Sequence, residues 1–275
     1  MTGTDTLLYA YSPVSGPYKV SAEHLSRAAF FGDGVFETMV YKNGRIRFLK
    51  EHGERLQEGL RALKISPSGV TIQALEDFLR AHYSDTTDLR VRWNVFRSGL
   101  GKYTPTSHEA RDLIFVQDLD QPIKIKPHAY ISDTITVPSS PWSHCKTLNA
   151  LPYVMANIER KEMGMDEVIL LDDQGFVSEA GSANIFWVKE NVFYTPSLAS
   201  NCIAGVGRRK IIEGLEKAGH TLIEGRFTVE ALLEAEQVFT SNVTGIAYLE
   251  NLKNTSYDTR VIPVVEQLFK TRGME

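Results

Sequence analysis

Residues 144–149 (HCKTLN) and residues 177–186 (VSEAGSANIF) are the two segments from which we predict both the fold and the functional site. The first holds a lone lysine, Lys146, in a weakly charged stretch, and the second holds a lone glutamate, Glu179, among small residues. An amphipathic helix and a strand are predicted between them. We therefore predict that the two side chains meet at one site, as an amine nucleophile and its partner carboxylate.

The uncharged neighbours of Lys146 permit an unusual chemistry for its amine. Desolvation lowers the pKa of a lysine from about 10.4, and a neutral amine can form a Schiff base with a carbonyl compound. The alternative is an ordinary surface lysine, since lysines are almost always exposed.

The small residues that follow Glu179 let the backbone approach a ligand closely. A carboxylate at the base of such a cleft could hold a pyridine nitrogen protonated, which makes an aromatic cofactor an electron sink. The alternative is a strand-end glutamate on a solvated hairpin.

Length, charge and cysteine content exclude several classes of protein. A chain of 275 residues suggests two domains, and a net charge of −4 without a basic block argues against nucleic acid or an anionic membrane as a partner. The two cysteines, Cys145 and Cys202, form no CxxC pair and the histidines show no ligand-like spacing, so we predict no metal site. No signal peptide is recognised and no apolar run reaches the roughly 20 residues of a membrane span, so we predict a cytoplasmic protein.

Periodicity and turn residues predict hairpins mixed with helices. Strands are predicted at 6–11, 35–41, 45–48, 89–96, 113–117, 130–137, 168–171, 175–178, 185–188, 192–194, 220–225, 238–241 and 246–249. Helices are predicted at 51–63, 68–83, 149–163, 207–218, 229–235 and 261–272. The helix at 149–163 carries an apolar face of Leu151, Val154, Met155 and Ile158.

The segment 118–127 contains acidic residues and a proline without periodicity, so we predict a linker there. It would join an N-terminal domain of residues 1–117 to a C-terminal domain of residues 128–275. The order of elements indicates a two-domain, mixed α/β (α+β) fold rather than a regular doubly wound sheet.

Three segments could bind a phosphate group. Arg55 is either part of a surface salt-bridge ladder or a bidentate phosphate clamp. Residues 204–208 (AGVGR) open a helix whose free amides could bind phosphate, and residues 240–245 (TSNVTG) form either a plain turn or the other side of that site. A dinucleotide site is rejected because the third glycine of its fingerprint is missing.

Two arginines could bind a substrate carboxylate. Arg92 and Arg97 lie five residues apart on one predicted strand and therefore point to opposite faces. Only one of them can face a given cavity, and strand alternation does not decide which.

Taken together, these segments resemble the class IV (fold type IV) pyridoxal-phosphate enzymes. That family includes branched-chain aminotransferases, D-amino acid aminotransferases and 4-amino-4-deoxychorismate lyases. Five motifs in family order carry the resemblance. They are Arg27 with residues 31–38 (FGDGVFET), which contain Phe36 and Thr38; residues 52–56 (HGERL) with Arg55; residues 146–149 (KTLN) with Lys146; residues 178–186 with Glu179 and Asn184; and residues 205–208 (GVGR) with Val206 and Gly207.

The resemblance implies two α/β domains of the D-amino acid aminotransferase type, with pyridoxal 5'-phosphate between them, and a homodimer whose partner loops help to close the site. It implies that Lys146 holds the cofactor aldehyde and then moves the Cα proton, while Glu179 pairs with the ring nitrogen. The groups implied for the phosphate are Arg55, the amides of Val206 and Gly207, and the turn near Asn242 and Val243. Many relatives carry a hydroxyl residue where Gly207 and Val243 stand, so here backbone N–H groups would replace those contacts.

Within the family, residues 146–149, Thr38 and residues 194–196 (YTP) look most like the aminodeoxychorismate lyases, which release pyruvate and form 4-aminobenzoate, a folate precursor. Phe36 and Thr38 would then contact the substrate, and Arg92, Arg97 or Lys102 would receive a carboxylate. The alternative is an aminotransferase that acts on branched-chain or D-amino acids with 2-oxoglutarate, since these enzymes share the cofactor residues. A third hypothesis is a homologue that keeps the fold for binding only and has no enzymatic activity.

Overall fold

The computed structural model describes residues 8–12, 16–20 and 26–270, and side chains from residue 26 onward. Within this part of the chain the strands are β1 Leu8–Ser12, β2 Gly16–Val20, β3 Gly34–Lys42, β4 Arg45–Ile46, β5 Leu89–Arg97, β6 Ala110–Asp118, β7 Ile125–Val137, β8 Glu167–Asp172, β9 Val177–Ala180, β10 Asn184–Lys189, β11 Val192–Pro196, β12 Leu222–Gly225, β13 Gln237–Asn242, β14 Gly245–Leu252 and β15 Thr255–Ser256. The helices are α1 Arg27–Phe31, α2 Leu49–Ala62, α3 Ile72–His82, α4 Leu151–Glu162, α5 Val206–Lys217, α6 Val229–Leu233 and α7 Pro263–Gln267, and a short 3-10 helix covers Leu198–Ser200.

A four-stranded antiparallel sheet in the order β4-β3-β5-β6 forms the centre of the N-terminal half. Because side chains alternate along a strand, its two faces differ. One face, which includes Met39, Val91 and Trp93, is buried against α2 and α3. The intervening residues of β3 and β5 point to the opposite face, which is turned towards the functional site described below.

A nine-stranded sheet forms the centre of the C-terminal half, in the order β12-β11-β10-β13-β14-β7-β8-β9 with β15 paired to β14. The pairs β11–β12, β14–β7 and β7–β8 are parallel, and the other pairs are antiparallel. Phe186 and Phe239 stack at 5.2 Å between ring centroids, in a core that includes α5 and α7. A second core on this sheet includes Trp187 and Leu232 of α6.

The apolar face of α4 is not covered within the single chain. Ala156 is its one buried residue, packed against β7 and β8. The exposed fractions of the predicted apolar stripe are 63% for Leu151, 51% for Val154, 46% for Met155 and 43% for Ile158. This helix therefore forms as periodicity predicts, but its stripe does not pack into the core of its own chain.

The mixed α/β class predicted from the sequence is confirmed, with corrections at several element ends. Residues 125–127 belong to β7, so the segment without secondary structure between the two sheets is 119–124 rather than 118–127. The last predicted helix, 261–272, is shorter in the structure and covers Pro263–Gln267. Residues 271 and 272 of the predicted range lie outside the described residues. The division into two domains stays a prediction. No helix in the described residues is both long and apolar enough to cross a membrane.

Candidate active site

A cavity of about 900 Å³ lies between residues of the two sheets. Nearly all the residues predicted for the site line it, although they are far apart in sequence. They are Phe36, Thr38, Arg55, Arg92, Lys146, Glu179, Asn184, Val206, Gly207, Asn242 and Val243. The exception among the predicted residues is Arg97.

Lys146 is held against strand β3 by backbone hydrogen bonds. Its carbonyl accepts from the amide of Phe36 at 2.9 Å, and the amide of Leu148 donates to the Gly34 carbonyl at 2.8 Å. The Nζ atom then lies 4.6 Å from the centroid of the Phe36 ring. Burial, together with the nearby charge of Arg55, lowers the pKa of Lys146 to about 8. A large fraction of this amine is therefore neutral near pH 8 and able to act as a nucleophile.

Glu179 is a buried carboxylate, 2% exposed, that receives three hydrogen bonds. Tyr153 Oη and the amide of Ile203 donate to Oε1 at 2.5 and 3.1 Å, and Asn184 Nδ2 donates to Oε2 at 3.3 Å. Burial nevertheless raises the pKa of Glu179 to about 7. No basic side chain of the described residues forms an ion pair with it. A protonated aromatic nitrogen in the cavity would supply the positive charge that this carboxylate lacks.

Arg55 is fixed by a buried acid that the sequence analysis did not place in the site. Its Nε and Nη2 atoms donate to Glu37 at 2.8 and 2.5 Å, and its Nη1 donates to the Ala204 carbonyl at 3.3 Å. The Nδ1 atom of buried His52 lies 2.6 Å from the same carboxylate. Burial alone would raise the pKa of Glu37, but the charge of Arg55 and the hydrogen bonds from His52 and Arg55 hold it at about 2.

Burial lowers the pKa of His52, so this ring is neutral and donates one hydrogen bond to Glu37. Arg55 therefore keeps its positive charge and a fixed direction at the edge of the cavity. A glutamate in the middle of a mostly apolar strand is the sequence signal that could have indicated this role, and in the structure its side chain is 1% exposed.

The first turn of α5 presents backbone amides to the cavity. Gly205 precedes the helix, and its first N–H groups, which have no intrahelical partners, are not capped by a side chain. A Cβ atom on Gly205 would lie 2.0 Å from Asn184 Oδ1, and one on Gly207 would lie 3.0 Å from Ser241 Oγ. The glycines thus keep a space in which the backbone and an anion can approach each other.

The β13–β14 turn closes the other side of this space. Asn242 Oδ1 accepts from the amide of Thr244 at 2.9 Å, which fixes the turn. The carbonyl of Val243 accepts from Arg47 Nη1 at 3.0 Å and so ties the turn to the N-terminal half. Arg55, the start of α5 and this turn form one positively polarised end of the cavity.

Another wall of the cavity is formed by the face of the four-stranded sheet that is not packed on helices. Thr38 on β3 lies directly across from Arg92 on β5. The guanidinium of Arg92 is stacked 3.8 Å from the centroid of the Phe36 ring, and its Nε donates to Asn94 Oδ1 at 2.8 Å. This arginine is therefore oriented in the cavity with donors left for an anionic ligand.

The prediction that Arg97 could bind a substrate is wrong. It lies on the other face of β5 and is 7% exposed. Its Nε donates to Asp33 at 3.0 Å, and Nη1 and Nη2 donate to the carbonyls of Lys64 and Leu63 at 2.9 and 2.6 Å. These contacts use the guanidinium to hold together loops of the N-terminal half. Lys102, the other residue considered for this role, is exposed and does not line the cavity.

The chain matches the family described as Amino-transferase class IV over residues 34–248. A putative branched-chain-amino-acid aminotransferase of Methanocaldococcus jannaschii is 30% identical over 223 residues, covering 79% of this chain and 76% of that protein. Aminodeoxychorismate lyase of Bacillus subtilis is 30% identical over 242 residues, covering 84% and 81%. The crystal structure of a branched-chain aminotransferase from Thermoproteus uzoniensis with norvaline has a TM-score of 0.80 at 22% identity and 91% coverage of both chains, a likeness of fold.

Proposed function

The chain belongs to the amino-transferase class IV family, and on that premise we propose that it is a 4-amino-4-deoxychorismate lyase. The proposed reaction converts 4-amino-4-deoxychorismate into 4-aminobenzoate, a folate precursor, and pyruvate. All atoms of the substrate appear in these two products, so the reaction needs no amino-group acceptor. The observation that supports this choice within the family is the polar wall formed by Thr38 and Arg92, which line the same cavity as Glu179.

Enzymes of this family depend on pyridoxal 5'-phosphate, and the donor set of the cavity fits that cofactor. When bound, the cofactor supplies an electron sink that stabilises negative charge on a substrate carbon. The buried carboxylate of Glu179, which lacks a cationic partner, would hold the ring nitrogen in its protonated form. Asn184 would orient that carboxylate through its hydrogen bond to Oε2.

The phosphate of the cofactor would be held at the positively polarised end of the cavity. Arg55 would contribute a charge-assisted hydrogen bond, because Glu37 fixes its guanidinium. The backbone N–H groups of Val206 and Gly207 and the turn at residues 242–243 would complete the site.

Lys146 would both anchor the cofactor and move a proton during the reaction. Its lowered pKa supplies the neutral amine that attachment to an aldehyde requires. The same amine, whose pKa of about 8 lies near physiological pH, suits a general base that takes the proton from the substrate carbon bearing the amino group. Phe36 would hold this amine over its ring.

Substrate orientation would depend on the sheet face that carries Arg92 and Thr38. Arg92, fixed by Phe36 and Asn94, would bind a carboxylate of the substrate. The hydroxyl of Thr38, across the strand pair from Arg92, would contact the polar groups around the reacting ring. A branched-chain amino acid would place an apolar side chain against this polar wall, which is the reason we place the lyase first.

The test is an assay for pyruvate release from 4-amino-4-deoxychorismate with added pyridoxal 5'-phosphate and no keto acid. We expect pyruvate and 4-aminobenzoate in equal amounts. Lys146→Ala should abolish the release, whereas Lys161→Ala, at an exposed position on α4, should leave it unchanged. Transfer of an amino group to 2-oxoglutarate without any pyruvate release would refute the lyase proposal.

A class IV aminotransferase acting on branched-chain or D-amino acids is the second candidate. The observation that favours it is the apolar part of the cavity lining, which includes Val137, Trp142 and Leu151 and could accept an alkyl side chain. The same protein preparation, supplied with amino acids and 2-oxoglutarate, tests this candidate. A non-catalytic homologue is disfavoured because the amine of Lys146 and the carboxylate of Glu179 share one cavity.

We also propose that the protein acts in the cytoplasm as a homodimer. The support for association is the exposed apolar stripe of α4, together with the exposed β6 residues Leu113 and Phe115. Light scattering after gel filtration should give twice the chain mass of 30.8 kDa. Val154→Glu, within the stripe, should shift the protein towards the monomer, and a monomeric wild type would contradict the proposal.

A further inference from the structure

Arg90 lies in the same cavity as Arg92, on the same face of β5. In the register of the sheet, Asn94 lies across from Phe36, Arg92 from Thr38, and Arg90 from Val40. The backbone of Lys146 is bonded to Phe36, so Arg90 is one strand repeat further from the reacting amine than Arg92. Two residues along a strand correspond to about 6.6 Å.

The two arginines give this end of the cavity an excess of positive charge. Both are half-buried, and neither forms an ion pair with a carboxylate of the described residues. Burial and the charge of Arg90 both lower the pKa of Arg92. Asp120 is the one acidic side chain besides Glu179 among the described cavity-lining residues. Two like charges placed side by side in a partly desolvated wall are unfavourable unless anions bind them.

Arg92 and Arg90 also differ in how they are held. Arg92 is oriented by the Phe36 ring and by Asn94 Oδ1. The guanidinium of Arg90, unlike its sheet-paired backbone, makes no hydrogen bond to any described residue, so its donors are available to a ligand. An arginine that lines a cavity and keeps all its donors free is suited to a planar, bidentate anion such as a carboxylate.

We infer that Arg90 is a specificity-determining residue that forms a second anion subsite, so that the cavity selects amino substrates with two acidic groups. One acidic group binds Arg92 and the other binds Arg90, on the same side of the cavity. The inference rests on the proposed placement of a substrate carboxylate at Arg92. It adds that a substrate with a single carboxylate leaves Arg90 uncompensated and binds less tightly.

The test compares benzoate with isophthalate, two rigid ligands that differ by one carboxylate, in titrations of the holoenzyme followed by the visible absorbance of its cofactor. We expect the wild type to bind isophthalate at least about tenfold more tightly than benzoate. Arg90→Gln should remove this preference and leave the affinity for benzoate unchanged. Arg92→Gln should lower the affinity for both ligands. The control is Arg61→Gln, at an exposed arginine in the last turn of α2, which should change neither.

Two outcomes would overturn the inference: an unchanged ligand preference in Arg90→Gln, or an equal loss of affinity for both ligands in that variant. The circular dichroism spectrum and cofactor content of each variant show whether it is folded and loaded. The pyruvate assay is a separate measurement. If no pyruvate is released but the preference for isophthalate is retained, the lyase proposal is refuted and the subsite is supported. If pyruvate is released but isophthalate is not preferred, the proposed reaction is supported and the subsite is refuted.

Discussion

Replacement of Glu37 by glutamine tests the buried network that orients Arg55. The carboxylate is 1% exposed, its pKa is held at about 2, and its ordinary value is 4.5. A difference of this size corresponds to about 3 kcal/mol of the free energy of unfolding at pH 7, at about 1.4 kcal/mol per pKa unit. Glutamine keeps the size of the side chain but removes its charge and one of the two acceptors for Arg55.

The sign of the pH dependence follows from the lowered pKa. The stabilisation is fully present above pH 4.5 and is lost as pH falls from 4.5 towards 2, because protonation then costs the native state its ion pair. Urea unfolding of wild type and Glu37→Gln should therefore differ by about 3 kcal/mol at pH 7 and by about half as much at pH 3. The variant should also bind pyridoxal 5'-phosphate more weakly, since Arg55 loses its support.

The matched control is Glu162→Gln, an exposed glutamate at the end of α4, which should change the free energy of unfolding by less than about 0.5 kcal/mol. Equal stability of wild type and Glu37→Gln at pH 7 would refute the reasoning. So would a difference between them that does not shrink between pH 7 and pH 3. Either result would mean that Arg55 does not depend on this carboxylate.

Three further predictions concern other parts of the site. The rate at which apo-protein takes up pyridoxal 5'-phosphate, followed by absorbance, should rise with pH up to about 8 and then level off, because only the neutral amine of Lys146 reacts; a flat profile from pH 6 to 9 would contradict this. Gly205→Ala should raise the dissociation constant of the cofactor in a titration, since the added Cβ would lie 2.0 Å from Asn184 Oδ1; an unchanged constant would show that the turn adapts freely. Arg97→Gln should lower the free energy of unfolding by about 2 kcal/mol in urea titrations, because Asp33 keeps only its pair with Arg27 and two backbone carbonyls lose a charged donor, yet the KM of the folded enzyme should stay constant.

The elements and much of the site could be predicted because each depends on local sequence. The 3.6-residue period of α2 is carried by Leu56 and Leu60, and both are buried as that period indicates. The positions of Lys146 and Glu179 were predicted to share a site, and they line one cavity. The family and the mixed α/β fold predicted from the motifs are confirmed.

Other features depend on tertiary packing, which a single sequence does not show. Alternation placed Arg92 and Arg97 on opposite faces of β5, but only the position of α2 and α3 decides which face is packed and which is open. The role of Glu37 depends on a helix that begins after β4 and brings Arg55 and His52 to it. The apolar stripe of α4 has the periodicity of a helix that packs on its own core. In the single chain, however, the residues of this stripe are exposed to solvent.

That uncovered helix has a consequence for how the molecule responds to its surroundings. Tyr153, on α4, donates to Glu179, while the opposite side of the same helix carries the bare stripe. Binding in the cavity and burial of the stripe therefore both involve the same helix, α4. Thermodynamic reciprocity then requires that, if self-association tightens cofactor binding by some factor, cofactor binding tightens self-association by the same factor. Cofactor occupancy and quaternary state would then be coupled equilibria.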